Sequence, residues 1–213
     1  MKKAMINYVK NEKCDLFQTP PEAVFPILKY IPDNVKTIWE CCDPGWSIIS
    51  SILRDNGYHV ISTDKETGFD FLKKKADFHF DMIITNPPYT LKTEFIKKCY
   101  EYQKNFALLM PLTALEGKER QLYYRKYGIN VVLFDERINF MNEKKGAWFA
   151  SCWFIWYQDG NNNKIFYDSL YKTENTLFAE NKNSYFTFKT NITAEKKKQQ
   201  NLFDYIGCIK EFV

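Results

Sequence analysis

The chain has 213 residues, 45% of them apolar, 26% charged and 17% aromatic, with a formal net charge of +4. That is normal for a soluble globular protein and long enough to bury a sizeable core as one large domain, or as one domain with an appendage. So small a positive surplus does not by itself argue for nucleic acid, and no apolar run approaches the ~18 residues of a membrane span.

The six cysteines, Cys14, Cys41, Cys42, Cys99, Cys152 and Cys208, form no CxxC pair, and His59 and His79 are the only histidines. Reduced thiols in a cytosolic chain are therefore expected, with neither a disulfide framework nor a metal site. The start "MKKAMINYVKNEKCD" is basic but has no apolar stretch behind it, unlike a signal peptide. The high aromatic content has two readings, a Phe- and Tyr-rich core or rings that stack on flat ligands such as bases.

The first predicted element is "TPPEAVFPILKYI", with Thr19 as N-cap, Pro20 and Pro21 in the first turn and Glu22 at the third position. Pro26 predicts a kink or a short helix there. Residues 35–42 read as a strand. Residues 47–57 read as a helix that Ser47 opens and Gly57 closes. A second strand, 58–64, ends in Asp64, and a short helical turn follows over 69–75. Then come a strand (80–86), a helix (91–103), a strand (105–111), a basic, Tyr-rich helix (115–128) and two more strands (129–136 and 151–158). Turn formers in "DGNNNK" end the pattern, and the remainder is rich in Asn, Lys and Thr. The domain organisation read from this is an arm over 1–16, a catalytic domain over 17–158 and a polar extension over 159–213.

Strand and helix alternate from 35 to about 135 with short connections, which predicts an α/β fold: a Rossmann-like, doubly wound, mostly parallel sheet. Such sheets bind ligands beyond the carboxyl ends of their strands. Glu40, Asp64 and the run Asn86-Pro87-Pro88-Tyr89 all fall at predicted strand ends.

The last of these is the most specific. Asn86 precedes a proline and is pushed to extended geometry. Pro87 and Pro88 fix two successive φ angles. The Asn86 side-chain oxygen and the Pro87 carbonyl can then converge as two preset acceptors, with the flat face of Tyr89 beside them. Two acceptors and a ring suit a planar exocyclic amine: they hold both N–H groups and steer its lone pair off the ring plane, toward a methyl donor.

"NPPY" after an apolar strand resembles the signature of S-adenosylmethionine-dependent amino-methyltransferases. "FQTPPEAV", "IWECCDPGWSII", "VISTDKETGFDFL" and "RINFMNEKKGAWFASCWFIW" are similar, in the same order, to segments of small phage-type adenine-N6 DNA methyltransferases. The resemblance covers about residues 17 to 158. It implies a class I methyltransferase fold and transfer of a methyl group from S-adenosylmethionine to N6 of an adenine flipped out of double-stranded DNA, in the cytoplasm of a bacterial or phage-infected cell. By the same resemblance Asn86, Pro87, Pro88 and Tyr89 bind and orient the adenine, and Asp64 takes the cofactor ribose. Asp70 and Phe71 flank the cofactor adenine, Thr19 and Pro20 line its methionine end, and Glu40 and Gly45 belong to the cofactor loop. Phe149 is the late aromatic residue, with Lys144 and Lys145 before it facing DNA. No metal is implied.

Several of these residues keep a second reading. Glu40 could instead cap the helix at Ser47, and Phe71 and Phe149 could be core. The helix with Lys118, Arg120, Tyr123, Tyr124, Arg125, Lys126 and Tyr127 could follow a phosphate backbone or be a solvated amphipathic face. The family's glycine-x-glycine is replaced by Pro44-Gly45-Trp46. Either Gly45 makes the turn on another path, or cofactor affinity is reduced or lost. The alternatives to a DNA methyltransferase are thus an impaired relative that binds nucleic acid or a protein partner, and an RNA or protein-amide methyltransferase.

Overall fold

The computed structural model describes residues 18–140 and 150–170. The chain enters through helix α1 (Pro21–Val24), which runs into a 3-10 turn, Phe25–Tyr30. The kink expected of Pro26 is this change of helix type. Thr19 does not cap α1. Pro20 holds the N-cap position without a side-chain hydrogen bond, because Thr19 stands one residue too early. The indole N–H of Trp153 fastens α1 by donating to the Ala23 carbonyl at 2.8 Å.

Strand β1 (Thr37–Glu40) leads to helix α2 (Ile48–Asp55), and strand β2 (His59–Ser62) follows. Ser47 caps α2, with Ile48, Ile49, Ile52 and Leu53 on its buried face. Gly57, with φ +87°, lies just past its end. Strand β3 (Met82–Thr85) is buried throughout, as a central parallel strand covered on both faces must be. Helix α3 (Lys92–Tyr102), strand β4 (Asn105–Pro111), helix α4 (Lys118–Tyr127), strand β5 (Asn130–Phe134), strand β6 (Ser151–Trp156) and strand β7 (Ile165–Asp168) complete the described part.

These strands form one sheet in the order β2-β1-β3-β4-β6-β5-β7. The pairs β1–β2, β1–β3, β3–β4 and β5–β7 are parallel. Only β6 runs against its neighbours, inserted between β4 and β5.

The aromatic residues serve mainly as core. Trp39 of β1 is ringed by Phe69, Phe71, Phe78, Phe80 and Tyr102 at centroid distances of 5.0–5.8 Å. The short helical turn expected over 69–75 is present, closed by the Lys73 and Lys74 N–H groups donating to the Asp70 carbonyl at 3.1 and 2.9 Å, and Phe69 and Phe71 turn toward Trp39. Strand β7 was not foreseen. It lies in polar surroundings, and its anchors are distant: Phe166 packs on Tyr30 and Asp168 pairs with Lys29 at 2.6 Å.

Candidate functional site

From β1 the chain moves to β2 on one side, then returns to the other side of β1 to form β3. The strand order therefore reverses between β1 and β3, and the carboxyl ends of these two strands flank the crevice where such sheets bind ligands. Glu40 closes β1 and Thr85 closes β3, so Asn86 and the loop after Glu40 face one another across the switch point.

Asn86 leaves β3 with its side-chain oxygen buried, and that oxygen accepts no hydrogen bond from the described residues. Buried polar atoms without a partner are uncommon and call for a reason, of which a ligand is one. Pro87 is buried, and Pro88 and Tyr89 are half-buried. The Tyr89 ring meets Phe140 edge-on at 6.4 Å, and Lys92 donates to the Tyr89 carbonyl at 3.1 Å. Rigid prolines, an aromatic contact and the start of α3 thus hold the loop from three sides. Phe140 and Lys92 were not picked out from the sequence.

Glu40 is 1% exposed. Its Oε1 accepts from the Thr85 hydroxyl at 2.5 Å and from the Cys42 N–H at 3.0 Å. Burial pushes its pKa up to about 7; the Thr85 bond opposes this and the charge of Asp43 adds to it. Through the Thr85 bond it bridges β1 to β3. It does not cap α2 through a backbone N–H, a task that falls to the Ser47 side chain.

The loop after β1 follows its own path. Gly45 makes the turn with φ +106°. Trp46 is half-exposed and lies outside the aromatic core cluster. Gln18, next to Thr19 and Pro20, accepts from the Ile48 N–H at 3.3 Å, which brings the entering segment against this loop. Thr19 itself is buried and Pro20 half-buried.

Asp64 follows β2 and is half-buried. One of its oxygens accepts the Glu66 N–H at 2.7 Å. Burial raises its pKa, and nearby Asp43 pushes the same way. Asp70 accepts the Leu72 N–H at 3.0 Å. Phe71 is core: it is 2% exposed and stacks on Phe95 at 5.0 Å. Lys144, Lys145 and Phe149 lie outside the described residues.

Much of the aromatic surface of helix α4 is used in packing. Tyr123 and Tyr127 stack on Tyr100 at 5.8 and 5.0 Å, and Tyr124 is buried. Arg120 is occupied by the Ala114 and Glu116 carbonyls and the Thr93 hydroxyl. The tyrosines thus lie on the packed side of an amphipathic helix, with Tyr123 and Tyr127 half-buried and Arg125 and Lys126 exposed. Among the described residues no helix is long and apolar enough to cross a membrane, and no group of three His, Cys, Asp or Glu is placed to hold a metal ion.

A mixed seven-stranded sheet with one antiparallel strand inserted between β4 and β5, helices between strands and a strand-order reversal at β1/β3 is the class I methyltransferase fold. No family model matches the sequence, and no curated protein does. Solved structures do match. A chain of a type I restriction–modification system superposes with a TM-score of 0.54 at 12% identity, over 80% of this chain and 48% of that one. A putative class I S-adenosylmethionine-dependent methyltransferase from Listeria monocytogenes superposes with a TM-score of 0.50 at 12% identity, over 79% of this chain and 72% of that one. The chain spans about half the length of the restriction–modification chain. At such identities the likeness is one of fold.

Proposed function

We propose that the chain transfers a methyl group from S-adenosylmethionine to the N6 amine of adenine in double-stranded DNA. The observation that carries this reading is the buried, unpartnered side-chain oxygen of Asn86 at the switch point, preset by two prolines and followed by a tyrosine. An acceptor kept dry and without a partner is suited to an N–H that arrives with the substrate. A base must leave the duplex to reach such a pocket.

The residues present also fit the cofactor. When bound, S-adenosylmethionine supplies the methyl group and brings a sulfonium and an ammonium charge. Burial first, and then the charge of Asp43, raises the pKa of both Glu40 and Asp64, so a cationic ligand at this end of the sheet would favour their ionised forms. On this reading Asp64 holds the ribose through its second oxygen, Thr19 and Pro20 line the methionine end, and Asp70 borders the adenine. Tyr89 supports the target base, and Lys144, Lys145 and Phe149 contact DNA or the base.

The test is methyl transfer from labelled S-adenosylmethionine to duplex DNA, with the product nucleosides resolved by mass spectrometry. N6-methyladenine is expected. Asn86→Ala should lower the rate about a hundredfold or more and leave folding intact. Label in RNA or protein instead of DNA would redirect the reading to those substrates, and an Asn86→Ala variant at the parental rate would refute it.

A further inference from the structure

We propose that Asp43 is a positioning residue: its carboxylate closes the loop between β1 and α2, the task a glycine pair performs in the family this chain resembles. The functional side of the proposal rests on that loop being the cofactor loop. Asp43 is 2% exposed. A single oxygen, Oδ1, accepts both the Gly45 N–H and the Ser47 N–H, each at 2.8 Å. Its own N–H donates to the Thr63 carbonyl at 3.0 Å, which ties the loop to the end of β2.

This arrangement accounts for each unusual residue in turn. Pro44 offers no N–H, and it occupies the position between Asp43 and Gly45 where the brace requires none. Gly45 has φ +106°, while a Cβ there would meet nothing within 4 Å, so it is the backbone conformation that requires glycine and not the space. Trp46 lies between the two pinned N–H groups. Its tryptophan side chain is half-buried and is not asked to make the turn, which its neighbours make. Nothing here needs glycine at 44 or 46.

The brace is strong because its acceptor is charged. Burial pushes the Asp43 pKa up, but the nearby Ser50 and Ser62 hydroxyls and the Ser47 and Gly45 N–H groups hold it below the ordinary value; the hydrogen bonds the geometry shows all fall on Oδ1, while the buried Oδ2 has no partner among the described residues. Hydrogen bonds to an ionised acceptor are roughly twice as strong as neutral ones. Glu40 carries the brace onward: the oxygen that accepts the Cys42 N–H also accepts the Thr85 hydroxyl, and Thr85 immediately precedes Asn86. The loop and the Asn86 elbow are therefore held by two adjoining buried carboxylates.

The test uses the full chain, Asp43→Ala and Asp43→Asn, with two readouts. Amide hydrogen exchange at Gly45 and Ser47 reports the brace without any ligand, and calorimetry with S-adenosylhomocysteine reports its consequence. In Asp43→Ala both amides should exchange about tenfold faster or more, and affinity should fall about tenfold or more. Asparagine keeps an acceptor oxygen and caps backbone N–H groups about as well as aspartate. Because its acceptor is neutral, Asp43→Asn should fall between the two, closer to the parent than to Asp43→Ala in both readouts. Unchanged exchange in Asp43→Ala overturns the brace whatever the ligand does. Faster exchange with unchanged affinity overturns the positioning role, and an Asn variant as impaired as Ala overturns it in favour of charge. A parent that binds no S-adenosylhomocysteine, yet loses amide protection in Asp43→Ala, upholds the brace and refutes the cofactor reading.

Discussion

Glu40→Gln isolates the cost of a buried charge at the switch point. The Glu40 carboxyl is pushed from its ordinary 4.5 to about 7, first by burial, with the Thr85 bond opposing, Asp43 adding, and the Ser47 hydroxyl and Cys42 N–H opposing. The folded chain therefore binds this proton more tightly than the unfolded chain does. The resulting stability is fully present below about 4.5 and is lost as pH rises through about 7. At about 1.4 kcal/mol per tenfold change in proton affinity, the full swing is roughly 3 kcal/mol. Glutamine has the same shape and does not titrate, so it lacks this swing. It carries only a constant offset from its altered hydrogen bonds with Thr85 and Cys42. Urea denaturation of both proteins, measured from pH 4.5 to pH 8.5, should show the variant gaining on the parent by roughly 3 kcal/mol across that window. Two stability curves that stay parallel would mean that Glu40 does not titrate there, and the account of its burial would be wrong.

Asp64→Ala should weaken S-adenosylhomocysteine binding by roughly 1.5–3 kcal/mol in calorimetry, the scale of hydrogen bonds to a charged group, and equal affinity would make Asp64 a surface acid. Pro44→Gly combined with Trp46→Gly should bind the cofactor product no more tightly than the parent, since Gly45 and Asp43 already make the turn. A clear gain in affinity would show that the two side chains do obstruct the site. Affinity for duplex DNA, followed by anisotropy at two salt concentrations, should fall steeply at the higher one, because phosphate contacts release counterions. Salt-independent binding would point to a protein partner.

Sequence alone was enough to recognise the alternation of strand and helix, because runs such as Met82-Ile83-Ile84 can satisfy burial only as interior strands. It also marked the acids and the Asn-Pro-Pro-Tyr elbow at strand ends, since proline restrictions and strand-to-loop transitions are local. Tertiary structure decided everything that depends on which elements become neighbours. The place of β6 between β4 and β5, and the addition of β7, depend on pairing partners far away in the chain. The helix with Tyr123, Tyr124 and Tyr127 read as following a phosphate backbone or as a solvated amphipathic face; that its tyrosines pack on Tyr100 and Phe154 is seen only in the structure. Phe71 was undecided between adenine and core until Trp39 and Phe95 enclosed it. Asp43 was not singled out from the sequence. Its carboxylate acquires a role only through the depth at which the fold buries it and the two N–H groups brought to one of its oxygens. Periodicity records whether a residue is buried, a property of its own surroundings; the partner that meets it there is set by contacts distant in sequence, which no local pattern contains.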